Sequence, residues 1–299
     1  MEKSGTTWCS TILNHHPNIL SITIREDWKK KGKIIKNEWE KELIGELHFF
    51  NTIASINDRK TLYQRPISNY VTRHKFLFKE IALLEGKISN NELRNLLLKR
   101  YNEIFSEQKS LQNKTLAGES TPAYIFYLND IDFFYPKVKK ICILRDPRDR
   151  VVSFFFNEIR KGRVKDKKIN NKFISEYCNS RIKNEYKALI NYEGNIKCIL
   201  YEDLNSSKAP EVVKSLLDYL KCNYDKLLIK KMLMNADFSV LTKYDDGTKG
   251  RQKGEENIYS QFRKGIVGDW KNNLSKEQVS IVEDLTNPLK HKVYKKYNL

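Results

Sequence analysis

The chain of 299 residues has little of what breaks regular structure, with 12 glycines and 7 prolines. That excludes collagen-like and low-complexity classes. Cysteine is sparse and scattered: Cys9, Cys142, Cys178, Cys198 and Cys222 form no C-x-x-C pair. Such spacing argues against a zinc site or a disulfide framework and fits a reducing compartment. No run of about 18 apolar residues occurs, so no segment reads as a membrane span. Met1-Glu2-Lys3-Ser4-Gly5 lacks the apolar region of a secretory leader. The expectation is a cytoplasmic protein without a membrane span. Acidic residues are outnumbered, 37 against 55, for a net charge of +18. Of the basic residues 41 are Lys and only 14 Arg. Such a bias is a common product of AT-rich coding, and Lys is a weaker sign of bidentate phosphate recognition than Arg. The charge favours polyanionic partners without naming one.

What is present is a chain 40% apolar and 31% charged, enough for a sizeable core. No internal repeat or linker divides it, so one domain over residues 1–299 is expected, with 25–43 a charged insertion. Residues 4–15 read as a helix opening stopped by Pro17, and 90–108 as an amphipathic helix with Leu93, Leu96, Leu97, Leu98, Tyr101, Ile104 and Phe105 as its apolar stripe. Ile141-Cys142-Ile143-Leu144 and residues 196–201 are short apolar runs typical of buried parallel strands. Helix-compatible sequence follows each, at 151–161 and 209–221, and Ser275 with Gln278 forms a capping box for a last helix. The alternation predicts an α/β fold, a parallel sheet flanked by helices.

Three segments carry chemistry. In Lys3-Ser4-Gly5-Thr6-Thr7-Trp8, a glycine between hydroxyl residues and a lysine opens a helix, a place for phosphate or sulfate. The Walker spacing of nucleoside triphosphatases is absent, which counts against a P-loop kinase. In the second segment, Arg145-Asp146-Pro147-Arg148-Asp149-Arg150-Val151-Val152-Ser153, Arg145 stands at a strand's C-terminal end, where open α/β sheets bind ligands. Pro147 suits a first helical turn, Ser153 lies two turns in, and Arg148, Asp149 and Arg150 read as a surface salt-bridge cluster. The third, Phe262-Arg263-Lys264-Gly265-Ile266-Val267-Gly268-Asp269-Trp270-Lys271, joins charge to a glycine that lets backbone approach a phosphate. Trp270 reads there as packing.

These segments, in this order, resemble the sulfotransferases that use 3′-phosphoadenosine 5′-phosphosulfate (PAPS), releasing 3′-phosphoadenosine 5′-phosphate (PAP). The resemblance covers nearly the whole chain and implies a P-loop-like fold. It puts Lys3, Ser4, Gly5, Thr6, Thr7 and Trp8 around the 5′-phosphosulfate. Lys3 becomes the cation on the leaving oxygen, and Thr6 and Thr7 donors to the sulfuryl oxygens. Arg145 and Ser153 are assigned to the 3′-phosphate, and Arg263, Lys264 and Gly265 close over it within a loop at 250–272. Tyr201, opening Tyr201-Glu202-Asp203-Leu204, resembles the residue contacting the adenine; a half-buried aromatic is an equal reading. Around Ala236-Asp237-Phe238 many members carry a hydroxyl residue before the Phe; it is missing here, and no ligand role is assigned there.

Family features are mixed. The small-molecule branch has a catalytic His near 118–124, absent from Gly118-Glu119-Ser120-Thr121-Pro122-Ala123-Tyr124. That stretch resembles the Glu-Lys-Thr-Pro-Ala-Tyr of the glycan-modifying branch, with Ser120 for the Lys. Leu13-Asn14-His15-His16-Pro17 and Glu46-Leu47-His48-Phe49-Phe50 resemble the same branch. The implied general base is Glu46, with His48 second. The expected reaction is in-line transfer of a sulfuryl group to a hydroxyl or amine of a small molecule or glycan, with no metal and no nucleic-acid partner. In the family the phosphate loop follows a buried strand; only Met1 and Glu2 precede it here, so that strand is expected to be truncated and a sheet edge exposed. A non-catalytic basic polyanion binder and an inactive truncated family member are the alternatives.

Overall fold

The computed structural model describes residues 1–21, 48–56, 80–81, 83–84, 86–166, 168–246 and 249–299. The expected insertion at 25–43 and the base Glu46 lie outside the described residues. The chain packs as two compact units, one joining Met1–Thr6 to Lys139–Leu299 and the other spanning Thr7–Val138.

Helix α1, Thr6–Asn14, starts directly after Gly5 and ends before the expected stop at Pro17. In the Thr7–Val138 unit, strand β1 (Ile19–Ser21) pairs in parallel with β2 (Leu116–Gly118), with Leu20 opposite Ala117. Between them come α2 (Phe49–Ile56) and the long α3 (Asn90–Leu111). Ser89 and Glu92 cap α3 reciprocally, each side chain meeting the other's backbone N–H. Leu93, Leu97, Tyr101 and Ile104 then fall on one face at helical spacing. They build a core with Leu20, Phe49, Phe50 and Ile53. Phe49 stacks on Tyr101 with centroids 3.9 Å apart. Tyr127 and Ile131, in and just before α4 (Leu128–Phe134), complete the cluster.

In the other unit, β3 (Ile141–Leu144) pairs in parallel with β4 (Lys197–Leu200), Cys142 opposite Cys198. Both strands are short and mainly apolar, as buried parallel strands are. Asp146 caps α5 (Pro147–Arg160), accepting from the Arg148 N–H with Pro147 in the first turn. A side-chain cap plus a proline whose missing N–H costs nothing there makes this a sharp start. Helices α6 (Asn171–Tyr177) and α7 (Lys183–Asn191) are joined by a π turn, Cys178–Ile182. After β4 come α8 (Ala209–Leu220), α9 (Lys226–Asn235), α10 (Phe238–Asp246) and α11 (Lys276–Tyr297), the last with the expected Ser275–Gln278 box. The strands are parallel and helix-flanked, as the sequence predicts, in two-stranded sheets. No helix among the described residues is long and apolar enough to cross a membrane.

Leu97 is fully buried in the α2–α3 core. Leu97→Ala removes its side chain from a site with little room to collapse, so a loss of about 2–5 kcal/mol is expected. Urea denaturation checks it, with the midpoint falling and the slope unchanged.

Candidate functional site

The segment expected to bind phosphate is a stretch of unusual backbone. Lys3 has φ 57° and Gly5 φ 89°. For lysine the left-handed region is sterically costly by roughly 1–2 kcal/mol, and such residues persist only where their surroundings over-determine them. Gly5 is required for a second reason. A Cβ there would stand 2.5 Å from Cδ2 of Tyr201 and 3.7 Å from Ile143 Cδ1. The Tyr201 ring, at the end of β4, is therefore the floor on which the loop lies. α1 begins at the next residue, with its first N–H groups facing outward from the helix.

Helix α5 is the ruler of the site. Arg145 precedes it, and Asp149, Ser153 and Asn157 follow at four-residue spacing, which puts them on one face. Asp149 is buried; its Oδ2 accepts from the Gly268 N–H at 2.7 Å and its Oδ1 from the Trp270 N–H at 3.0 Å. Asn157 Oδ1 accepts from Lys3 Nζ at 3.0 Å. One helix face thus holds the C-terminal loop at one end and the Lys3 ammonium at the other, with Ser153 between them. Arg145 lies with its guanidinium 4.3 Å from the Tyr201 ring centroid. Its Nη2 donates to the Ile266 carbonyl at 3.3 Å and stands 3.6 Å from Asp149 Oδ2. The buried Nε of Arg145 has no hydrogen-bond partner among the described residues. Such an orphan donor calls for a ligand or water.

The C-terminal loop is held as tightly. Arg263 pairs with Glu256 and Asp269, with its guanidinium 4.2 Å from the Phe156 centroid. Lys264 Nζ donates to Asp269 Oδ1 at 2.9 Å. Burial would raise the Asp269 pKa, but hydrogen bonds from Arg263, Asn272 and Lys264 outweigh it and hold the carboxyl at about 2. Gly265 has φ 71°, and a Cβ there would stand 2.4 Å from Cδ2 of Phe238. Its carbonyl accepts from Asn205 at 3.3 Å. Arg251 donates to the carbonyls of Glu255 and Arg263, both at 2.7 Å, and of Phe262 at 2.5 Å.

Lys3, Ser4, Gly5, Thr6, Arg145, Ser153, Tyr201, Arg263, Lys264 and Gly265 therefore all belong to one unit. Ser4 is buried, its hydroxyl donating to the Glu2 carbonyl at 3.4 Å. Tyr201 is 8% exposed, more deeply placed than a half-buried aromatic, and burial raises its pKa. Thr7, Trp8 and His48 belong to the other unit. There His48 is buried with φ 54°, and its N–H donates to the Thr121 hydroxyl at 3.4 Å. The next N–H, of Phe49, donates to the Tyr124 hydroxyl at 2.8 Å. Tyr124, Thr121 and Tyr101 in turn donate to the Glu119 carboxylate at 2.6, 3.2 and 2.5 Å.

One expectation is overturned. Arg148, Asp149 and Arg150 are not a surface salt-bridge cluster. Asp149 and Arg150 are buried, and Arg150 pairs with the buried Glu185 of α7. Arg148 is half-buried, bound to Asp146 and Glu283 with its guanidinium 4.0 Å from the Trp270 ring centroid. Charge alternation looks like a solvated face until its partners, distant in sequence, are known. Asn157, Asp149, Asp269, Glu185 and Arg251 escaped the motif reading. The first two were within reach, being one helical repeat from Ser153 on either side.

Two outcomes follow. Gly5→Ala is expected to destabilise the protein by about 1–3 kcal/mol, from the Tyr201 overlap and the positive φ together, read as a lowered melting temperature. Asp269 has its pKa depressed from 3.8 to about 2. A depressed carboxylate stabilises above its unfolded value and loses that stabilisation as pH falls through the folded one. The stability difference between wild type and Asp269→Asn should be flat above about pH 4 and shrink towards pH 2, as measured by denaturant titration across that window.

Comparison with known proteins closes the case for ancestry. The sulfotransferase domain family profile matches residues 1–296. Sulfotransferase 6B1 of Danio rerio is 26% identical over 161 residues, covering 51% of this chain and 52% of its own length. Cytosolic sulfotransferase 3 of Arabidopsis thaliana is 23% identical over 211 residues, covering 66% of this chain and 62% of its own. The chain thus spans between about half and two thirds of the length of these curated relatives. Mouse sulfotransferase SULT7A1, crystallised in complex with PAP, shares the fold with a TM-score of 0.53 at 14% identity, over 98% of this chain and 86% of that one. With a family profile that covers nearly all of it, this chain belongs to the sulfotransferase domain family.

Proposed function

We propose that the chain transfers a sulfuryl group from PAPS to a hydroxyl or amine of a small-molecule or glycan acceptor. The observation that carries the reading is the α5 face. It links Lys3, Ser153 and the loop bearing Lys264 and Gly265 through Asn157 and Asp149, with Arg145 at its head. The residues fit a nucleotide phosphorylated at both ends. Arg145 offers a buried donor without a partner, and Gly5 and Gly265 each lie where a side chain would collide with an aromatic ring. Bound PAPS supplies a sulfuryl group on a phosphate leaving group.

In this reading Lys3, oriented by Asn157, sets its ammonium against the charge developing on the leaving oxygen. Fixed charge of this kind dominates loose, in-line transfers. Thr6, Thr7 and the first N–H groups of α1, as far as Trp8, donate to the sulfuryl oxygens. Arg145 and Ser153 bind the 3′-phosphate, a planar fork and a hydroxyl. Lys264, Gly265 and Arg263 close that side, Asp269 holding both cations. Tyr201 supports Gly5 and Arg145 from below and faces the adenine. Glu46 takes the acceptor proton, with His48 the second choice for that role.

A thermal-shift titration tests the donor. At one hundred times Kd a ligand stabilises by roughly 2.7 kcal/mol, about several degrees here. PAP is expected to give that shift and ADP, which lacks the 3′-phosphate, none. Arg145→Ala should abolish the PAP shift while retention on a heparin column barely changes. Equal loss of both would favour a general polyanion binder.

A further inference from the structure

The groups that grip the phosphate loop are not those that face its ligand. Arg150, the residue after Asp149 on α5, is fully buried. Its Nε donates to the Glu2 carbonyl at 3.0 Å, and its Nη2 pairs with Glu185. Glu185 closes the ring: its other oxygen, Oε1, accepts from the Glu2 N–H at 3.2 Å. An Arg–Glu pair from two helices thus satisfies both backbone polar groups of residue 2, as a neighbouring strand would. Burial opposes the Arg150 charge, and Glu185, with Tyr177 and Tyr186, more than restores it. Arg181 adds a weaker hold, 3.7 Å from the Glu2 carboxylate.

The next residue is Lys3, left-handed at φ 57°. Its Nζ is fixed by Asn157, two turns along α5 from Arg150. Lys3 is therefore held at both ends by one helix, at its ammonium directly and at its backbone through residue 2. We propose that Arg150 and Glu185 are positioning residues for the 5′-phosphosulfate loop. They touch no ligand, and they set where the Lys3 ammonium and the α1 N-terminus stand. The inference rests on the PAPS reading above and adds to it the residues that determine affinity at one end of the nucleotide only.

That asymmetry is the test. Adenosine 3′-monophosphate carries the phosphate assigned to Arg145 and Ser153 and lacks the one assigned to the loop; PAP carries both. Arg150→Met combined with Glu185→Leu removes the two charges together, leaving no unpaired buried ion. Calorimetric titration of this variant should show PAP binding weakened about tenfold or more, since small misplacements of binding groups carry such factors. Binding of adenosine 3′-monophosphate should stay within about twofold of wild type. Equal weakening of both ligands, or of neither, overturns the proposal. Should the double variant not melt cooperatively, Glu185→Gln is measured the same way, with the same split expected and the same result overturning it. Wild-type protein that binds no PAP would sink the donor reading itself. Wild type that binds, with variants showing no split, sinks only the positioning role.

Discussion

A helix that presents different residues to two neighbours can register segments that have no reason of their own to meet, and α5 is that helix here. The residues preceding α1, the end of β3 and the loop after Phe262 are separated by more than a hundred positions in sequence. Each carries backbone polar groups that must be satisfied once buried. Asp149 meets two N–H groups of the C-terminal loop, Arg150 meets the carbonyl of residue 2, and Asn157 meets Lys3. The cost is the burial of an aspartate and an arginine. Loss of one partner from such a buried pair removes about 3–5 kcal/mol, so the arrangement is stable only when complete.

The site gathers cations, and their mutual repulsion needs an answer. Asp269 and Glu256 supply it for Arg263 and Lys264. These two cations are compensated by carboxylates of their own loop. Arg145 differs. Its nearest carboxylate, Asp149, is 3.6 Å away and engaged by two backbone N–H groups, and its Nε is buried without a partner. A buried donor of this kind gains most when a phosphate oxygen reaches it. Within one cluster of basic residues, the hydrogen bonds therefore separate those that build the loop from the one with capacity to spare.

Much of this architecture was legible in the sequence, for identifiable reasons. β3 is an uninterrupted apolar run, α3 a long stripe, and α5 opens on Asp-Pro, so periodicity and capping mark all three. Residues whose roles come from local backbone geometry were equally readable: Gly5 and Gly265 both adopt the positive φ that their loops require. What stayed hidden depends on distant partners. Nothing near Arg150 in sequence shows that Glu185 awaits it, and an alternation of Arg and Asp looks the same whether it faces water or a buried carboxylate. Glu119 is hidden in part for the same reason, since one of the hydroxyls it collects, on Tyr101, comes from α3.

The same physical device occurs in both units. Lys3 before α1 and His48 before α2 are non-glycine residues at φ near 55°, each placed just ahead of a helix. A glycine would relieve the backbone and lose the side chain; keeping the side chain requires that its neighbours be pinned. In one unit a carboxylate, Glu185, and its arginine bind the peptide groups of residue 2. In the other a carboxylate, Glu119, orients the hydroxyls of Thr121 and Tyr124, which accept from His48 and Phe49. Strain of this kind is tolerated where the surroundings over-determine it. In both units the strained residue stands at or next to peptide groups held, directly or through hydroxyls, by a carboxylate of the same unit that is distant in sequence.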